Sequence, residues 1–332
     1  MGIREIRKKE FSELKKKILP RLSLPKNFSR KKEYFTENKN IDNHVLGYFD
    51  RYGRLYRDFK YGNPFDPYEK YLIGMLYLAP HKSSNINNIN TCLYAGNCKK
   101  FCFYNAPTNY NNYRKNNTQW FYENKKNFMN ILVFDILKLL IHAENNSLKP
   151  AVRLNGLSDI PWEKDEYKFE LEKDIEEILK SYADEYSIVI PSNSEKINIF
   201  SIFPELNFYD YTKYLPSQRD ISEIKNYHLT YSYDFNISKS LKEILLSNNV
   251  AMICKDKNEF FSSNEKFRIL EIENIKYCLL DGDEYDFRPL DDKIFPKLKK
   301  IILLEYNNSS KSYNIGNSKY ILKEFKDLEK IL

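Results

Sequence analysis

The chain has 332 residues, 42% apolar and 15% aromatic, with a net charge of +7. Its 9 glycines and 13 prolines are too few for a low-complexity chain, and the apolar content is enough for a real core. Five cysteines, odd in number and with three clustered, exclude an even disulfide framework and point to the cytoplasm.

Residues 1–66 read as a basic N-terminal extension. Arg4, Arg7, Lys8, Lys9, Lys15, Lys16, Lys17, Arg21, Lys26, Arg30, Lys31 and Lys32 face few acids there. Such an arm is either a nucleic-acid contact or a solvated tail. No apolar stretch follows the first charges, so no secretory leader is expected. The most apolar run, Phe128 to Ile141, is interrupted by Asn130, Asp135 and Lys138, which excludes a membrane span.

Tyr71 to Ala79 is an apolar run closed by Pro80, as in a buried strand. A polar loop and three cysteines follow. Thr118 or a neighbouring asparagine caps a predicted long helix with Phe121, Phe128, Leu132, Ile136, Leu139 and Ala143 on one face. Ala151 to Asn155 is a second strand. Tyr167, Leu171, Ile175, Ile178 and Tyr182 write another helix. Strands recur at 207–211, 228–233, 249–254 and 276–281, with a further apolar run at 301–304 and a short helix from Ser318 onward. This alternation predicts an α/β fold: an incomplete (β/α) barrel of about six mainly parallel strands, with every carboxyl end on one face. The barrel would span 67–295, and 296–332 would add a C-terminal strand and helix.

Cys92, Cys98 and Cys102, separated by five and three residues, lie in the loop after the first barrel strand. Thiolates suit zinc or an iron–sulfur cluster, and Lys99 and Lys100 would favour their charge. A closed zinc site needs a fourth ligand, either His81 or Cys254. Without one, a 4Fe–4S cluster would keep an open iron, which is how clusters bind S-adenosylmethionine.

Other strand ends carry unusual polar text. Arg153 and Asn155 share one face of a buried strand, where unsatisfied groups cost roughly 1–3 kcal/mol each. They either face a ligand-filled interior or belong to an Asn-Gly turn, 155–156, capped by Asp159. Lys213, Thr230 and Ser232 end the next strands and could hold ribose, carboxylate or phosphate. The segment 281–291 holds Asp281, Asp283 and Arg288. Its carboxylates either bind substrate or cap a turn, and the planar fork of Arg288 suits an anion. His142 and His228 read as packing or surface groups. No phosphate loop, Ser-His-Asp set or paired zinc-histidine motif is present.

The ordered segments "YLIGMLYLAP" (71–80), the cysteine loop, "RKNNTQWFYENKKNFM" (114–129), "PAVRLNGLSDIPWE" (150–163), "IFPELNFYDYTK" (202–213), "NYHLTYSYD" (226–234), "NVAMICK" (249–255) and "DGDEYDFRPLD" (281–291) resemble the phage gene-product-88-like family of phage and bacterial proteins. Relative to that family, about residues 165–195 look inserted. The arrangement is also similar to radical S-adenosylmethionine enzymes, in which a cluster loop follows the first strand of a partial barrel. That likeness implies Cys92, Cys98 and Cys102 as cluster ligands. It implies Asn155, Gly156, Ser158 and Asp159 near the cofactor's methionine part, with Thr230 and Ser232 near its ribose. Arg153, Lys213, Asp281, Asp283 and Arg288 are then left for an unknown substrate. The rival expectation is a zinc- or cluster-stabilised protein that binds nucleic acid through its basic arm without catalysis.

Overall fold

The structure is a computed structural model that describes residues 46–47, 62–63, 66–81, 89–102, 111–191, 195–234, 241–246, 248–306 and 321–332. The basic arm, 1–36, lies outside them.

The strands are β1 (Leu46–Gly47), β2 (Gly62–Asn63), β3 (Asp66–Leu76), β4 (Lys149–Arg153), β5 (Asn207–Thr212), β6 (Tyr227–Ser232), β7 (Asn249–Cys254), β8 (Phe267–Ile272), β9 (Ile275–Asp281), β10 (Lys299–Glu305) and β11 (Ile321–Leu322). Nine of them form one path in the order β1-β3-β4-β5-β6-β7-β10-β9-β8. From β3 to β9 along that path every pairing is parallel. Only the ends, β1 on β3 and β8 on β9, are antiparallel. The sheet is therefore open, and no closed barrel forms. The apolar run 301–304 lies within β10, which sits between β7 and β9 in the sheet. Both faces of the central strands are covered, which is why β7 and β10 read as continuous apolar runs.

One face carries the helices. The predicted long helix is two helices, Asn111–Glu123 and Lys125–Asn145. Asn124 separates them, its side chain accepting from the backbone N–H of Asn127 at 3.2 Å, an N-cap bond. Thr118 is no cap: its hydroxyl donates to the Arg114 carbonyl four residues back. Leu72, Leu76, Val152, Leu154 and Phe208 pack beneath these helices, with Ile175, Ile178, Leu179 and Tyr182 of the helix Lys173–Tyr186. Asn130, buried mid-helix, bonds the carbonyl of Glu170 and the N–H of Glu172, and so pins residues 170–172 to the layer. Among the described residues no helix is long and apolar enough to cross a membrane.

Among the described residues the far face has no helical layer of crossovers. Tyr71, Ile73, Met75, Ala151 and Tyr209 point there, by the alternation of a strand, and meet Tyr285, Phe287 and Leu290. Ala251, Cys278, Leu280 and Ile302 meet Phe295 and Leu298. Residues 285–298, with the short helix Pro289–Ile294, thus lie across that face as a lid.

Candidate functional site

The cysteine loop begins where β3 ends. Ala79 donates its N–H to the Thr118 hydroxyl at 2.7 Å and accepts from the Thr91 hydroxyl at 2.7 Å. These two bonds set the direction of the chain entering and leaving the loop. Two turns follow, closed by Ala95 N–H to Cys92 carbonyl (3.2 Å) and Cys98 N–H to Ala95 carbonyl (2.8 Å). Between them Gly96 takes φ +50°, and a Cβ there would stand 2.8 Å from the Asp234 carboxylate. The left-handed φ favours glycine there, and a side chain would also have to displace the Asp234 carboxylate.

The loop is thereby held against the carboxyl ends of β4, β5 and β6. Asp159, after β4, donates its N–H to the Thr91 carbonyl at 2.7 Å. Gln218, after β5, donates to the Tyr94 hydroxyl at 2.9 Å, and the Tyr94 and Tyr214 rings meet edge-on at 4.6 Å. Asp234, after β6, faces Gly96. Cys92 is buried at this junction, whereas Cys98 and Cys102 are partly exposed; none is in a disulfide. Burial pushes the Cys92 thiol well up, and the charges of Asp159, Cys98 and Cys102 push the same way while Lys213 opposes them. Cys98 and Cys102 are thus close enough to act electrostatically on Cys92. Even so, among the described residues no three His, Cys, Asp or Glu side chains stand close enough to hold a metal ion.

His81, just past β3, has its imidazole pushed down by burial and by Lys99 of the cysteine loop. The neutral ring is the form that can ligate a metal. Cys254 instead feels Glu305, Asp283 and Asp281 near the end of β7, away from the loop. Of the two expected fourth ligands, His81 is the one that feels a charge of the cysteine loop, that of Lys99.

Lys213 lies buried between the loops. Its backbone N–H donates to Asp159 at 2.8 Å and its ammonium to the Ser232 carbonyl and hydroxyl at 3.1 and 3.0 Å. Asn155 turns towards the helix face. Its Oδ1 accepts from the Ser158 hydroxyl, the Ile160 N–H and the Trp162 indole, and its Nδ2 donates to Ile160 and Asp210. That uses the full capacity of the amide, so Asn155 and Ser158 shape the loop 155–162. Gly156 backs onto β3: a Cβ there would stand 2.6 Å from the Tyr77 ring and 2.9 Å from the Leu76 carbonyl.

The remaining expected residues lie elsewhere. Arg153 faces the lid, where its Nη1 meets Asp286 at 3.2 Å and its guanidinium sits 4.7 Å from the Tyr211 ring centre. Arg288 is fully buried in the lid beside Asp291 and Tyr285. Thr230 is buried on the same face as Ser232. Asp281 pairs with Lys257 at 2.8 Å and caps Asp283, whose carboxylate accepts from the Glu305 N–H. The structure thus brings Cys92, Cys98, Cys102, Asp159, Lys213 and Ser232 together, and sets Arg153, Thr230 and Arg288 apart from them as a second group.

A sequence profile described as gene product 88 matches residues 55–304, three quarters of the chain. The chain belongs to the gene product 88 family. No curated protein and no solved structure matches it. The stretch matched to gene product 88 runs from before β3 to within β10, and so contains the cysteine loop and the lid, while β11 lies outside it.

Within this gene product 88 fold, sequence reasoning missed a buried charge network under the loop 155–163. Arg219 donates through Nε and Nη2 to Glu163 at 2.9 and 2.6 Å, through Nη1 to Asp159 at 3.5 Å, and through Nη2 to the Tyr227 hydroxyl at 3.0 Å. Tyr227 donates in turn to Asp210 at 2.8 Å. Burial raises the Asp210 carboxyl to about 7, against the bonds it accepts from the Asn155 N–H and the Tyr227 hydroxyl. The signal was Asp210 itself, a carboxylate in the middle of a strand with apolar neighbours on both sides.

Proposed function

We propose that this chain is an iron–sulfur enzyme of the radical S-adenosylmethionine type, acting from the mouth of a partial (β/α) barrel. The observation that supports it is the seat of the cysteine loop. Three thiols lie at the carboxyl ends of consecutive parallel strands, where folds of this kind place ligands.

The donor set fits a cluster: three soft sulfur ligands, with a fourth position left open. Their present spacing does not close around one centre, so binding would be coupled to rearrangement of the loop 92–102, as at sites assembled only with their metal. A bound 4Fe–4S cluster would supply the electron for reductive cleavage of S-adenosylmethionine. The chain's own part is orientation and exclusion of water. Lys213 would balance thiolate charge, while Gly156, Ser158 and Asp159 would present the loop backbone to the cofactor's methionine part. Ser232, beside Lys213, would lie next to its ribose.

The test is reconstitution with iron and sulfide without oxygen. Brown protein with a visible cluster band, which consumes S-adenosylmethionine under a strong reductant, is expected from the wild type. Cys98→Ser and Cys102→Ser should stay folded and colourless. A colourless wild type that retains zinc would overturn the proposal in favour of a structural zinc site.

A further inference from the structure

The far face of the sheet holds a group of buried donors that nothing in the described protein satisfies. Arg288 donates to the Tyr285 carbonyl through Nη2, but its Nε and Nη1 have no hydrogen-bond partner. Its ion pair with Asp291 spans 3.7 Å, too long for a hydrogen bond. Arg153, across the face on β4, uses Nη1 on Asp286 and leaves Nε unbonded in the interior. Thr230, fully buried on β6, has an unbonded hydroxyl.

These groups share a neighbour. The register of β5 and β6 sets Thr230 opposite Tyr211. The Arg153 guanidinium lies over the Tyr211 ring, and Arg288 is the charged group that acts most strongly on its hydroxyl. Asp286 bears on both arginines. The two guanidinium groups, one from the sheet and one from the lid, therefore flank one small region.

Each buried group left unbonded needs an explanation in a native fold. Water brings donors and acceptors in equal number. Here donors are in excess: three guanidinium nitrogens and a hydroxyl stand against the single unbonded Asp291 oxygen and the His228 Nδ1. What completes such a set is a group made only of acceptors. Guanidinium forks match planar or tetrahedral oxyanions in this way.

We propose that Arg153, Arg288 and Thr230 form a second binding site, separate from the cysteine loop, for a small oxyanion of the carboxylate or phosphate class. Its two arginines come together only when residues 285–298 dock on the sheet, so the bound anion holds the lid in place. The site does not depend on any metal at the cysteines.

The experiment is thermal unfolding of the full chain in inorganic phosphate and in malonate, against sodium chloride at equal ionic strength. A ligand that binds only the folded state raises Tm with its concentration. Phosphate or malonate is expected to raise Tm by a few degrees above the chloride control, and the one that does so gives the ligand class. Thr230→Val, which keeps the shape and removes one donor, should weaken that rise, and Arg288→Lys should abolish it. An anion held by the lysine-rich N-terminus would stabilise Thr230→Val as much as the wild type, and that result overturns the proposal. So does a wild type that responds to neither anion. If Arg288→Lys fails to fold, the Thr230→Val comparison decides alone.

Discussion

Arg219 and Arg288 are both buried arginines, one among the charges on the helix side of the sheet and the other in the lid on the far side. Every nitrogen of Arg219 reaches an oxygen of Glu163, Asp159 or Tyr227. Arg288 has a single hydrogen bond and two nitrogens without one. The difference separates two uses of buried charge. A completed network fixes the loop 155–163 against the strand ends, whereas an incomplete one leaves donors for something that the chain does not supply. The first is a matter of stability and the second of binding, and substitutions can tell them apart.

The strongest break is Arg219→Met. It would leave Glu163 and Asp159 buried beside no cation, a change that costs about 3–5 kcal/mol. Urea denaturation should show that loss. A change below 1 kcal/mol would mean the network is not a structural unit.

Next comes the pH dependence of Asp210. Its folded pKa of about 7 lies above the ordinary aspartate value. The folded protein therefore keeps a proton that the unfolded chain has already released. Stability is greatest at low pH as far as this group is concerned, falls between about pH 4 and pH 7, and is flat above. The fall should amount to about 2–4 kcal/mol. Asp210→Asn has no such proton to lose, so urea midpoints of the two proteins across pH 4–8 should diverge over that window and then run parallel.

The smallest effect sharpens the contrast. Thr230→Val replaces an unbonded hydroxyl with a methyl, and should change stability by less than about 1 kcal/mol in anion-free buffer. A loss above 2 kcal/mol in the same urea measurement would show that the hydroxyl is bonded in the free protein.

Much of the parallel sheet could be read from the sequence because its strands are short apolar runs between turn signals. The run 249–254 is β7 to the residue, and 207–211 falls one residue short of β5. β8 was missed. Its residues Phe267 to Ile272 alternate in exposure at the sheet edge, and the turn to β9 uses Glu273 and Asn274 at φ 52° and 64° rather than a glycine. The break between the two long helices was hidden because the apolar spacing continues through Asn124. The cysteine loop could be placed at a strand end because it directly follows β3. What lies beside it could not: Asp234 meets Gly96 through a contact between residues far apart in the chain. Arg153 and Asn155 looked like partners on one strand face. The chain turns after Arg153, so one goes to the lid and the other to the loop.

The lid is also closed by contacts between residues far apart in the chain. Asp286 meets Arg153 and Tyr209 across 133 and 77 residues of chain. Contacts so distant in sequence form slowly, because loop closure must precede them. The helix layer, built from neighbouring crossovers, can assemble first. During that interval Tyr71, Ile73 and Met75 are uncovered, and a newly made chain is at its most prone to aggregate. An anion bridging Arg153 and Arg288 would shorten the interval, and so act on the yield of folded protein before it acts on anything the folded protein does.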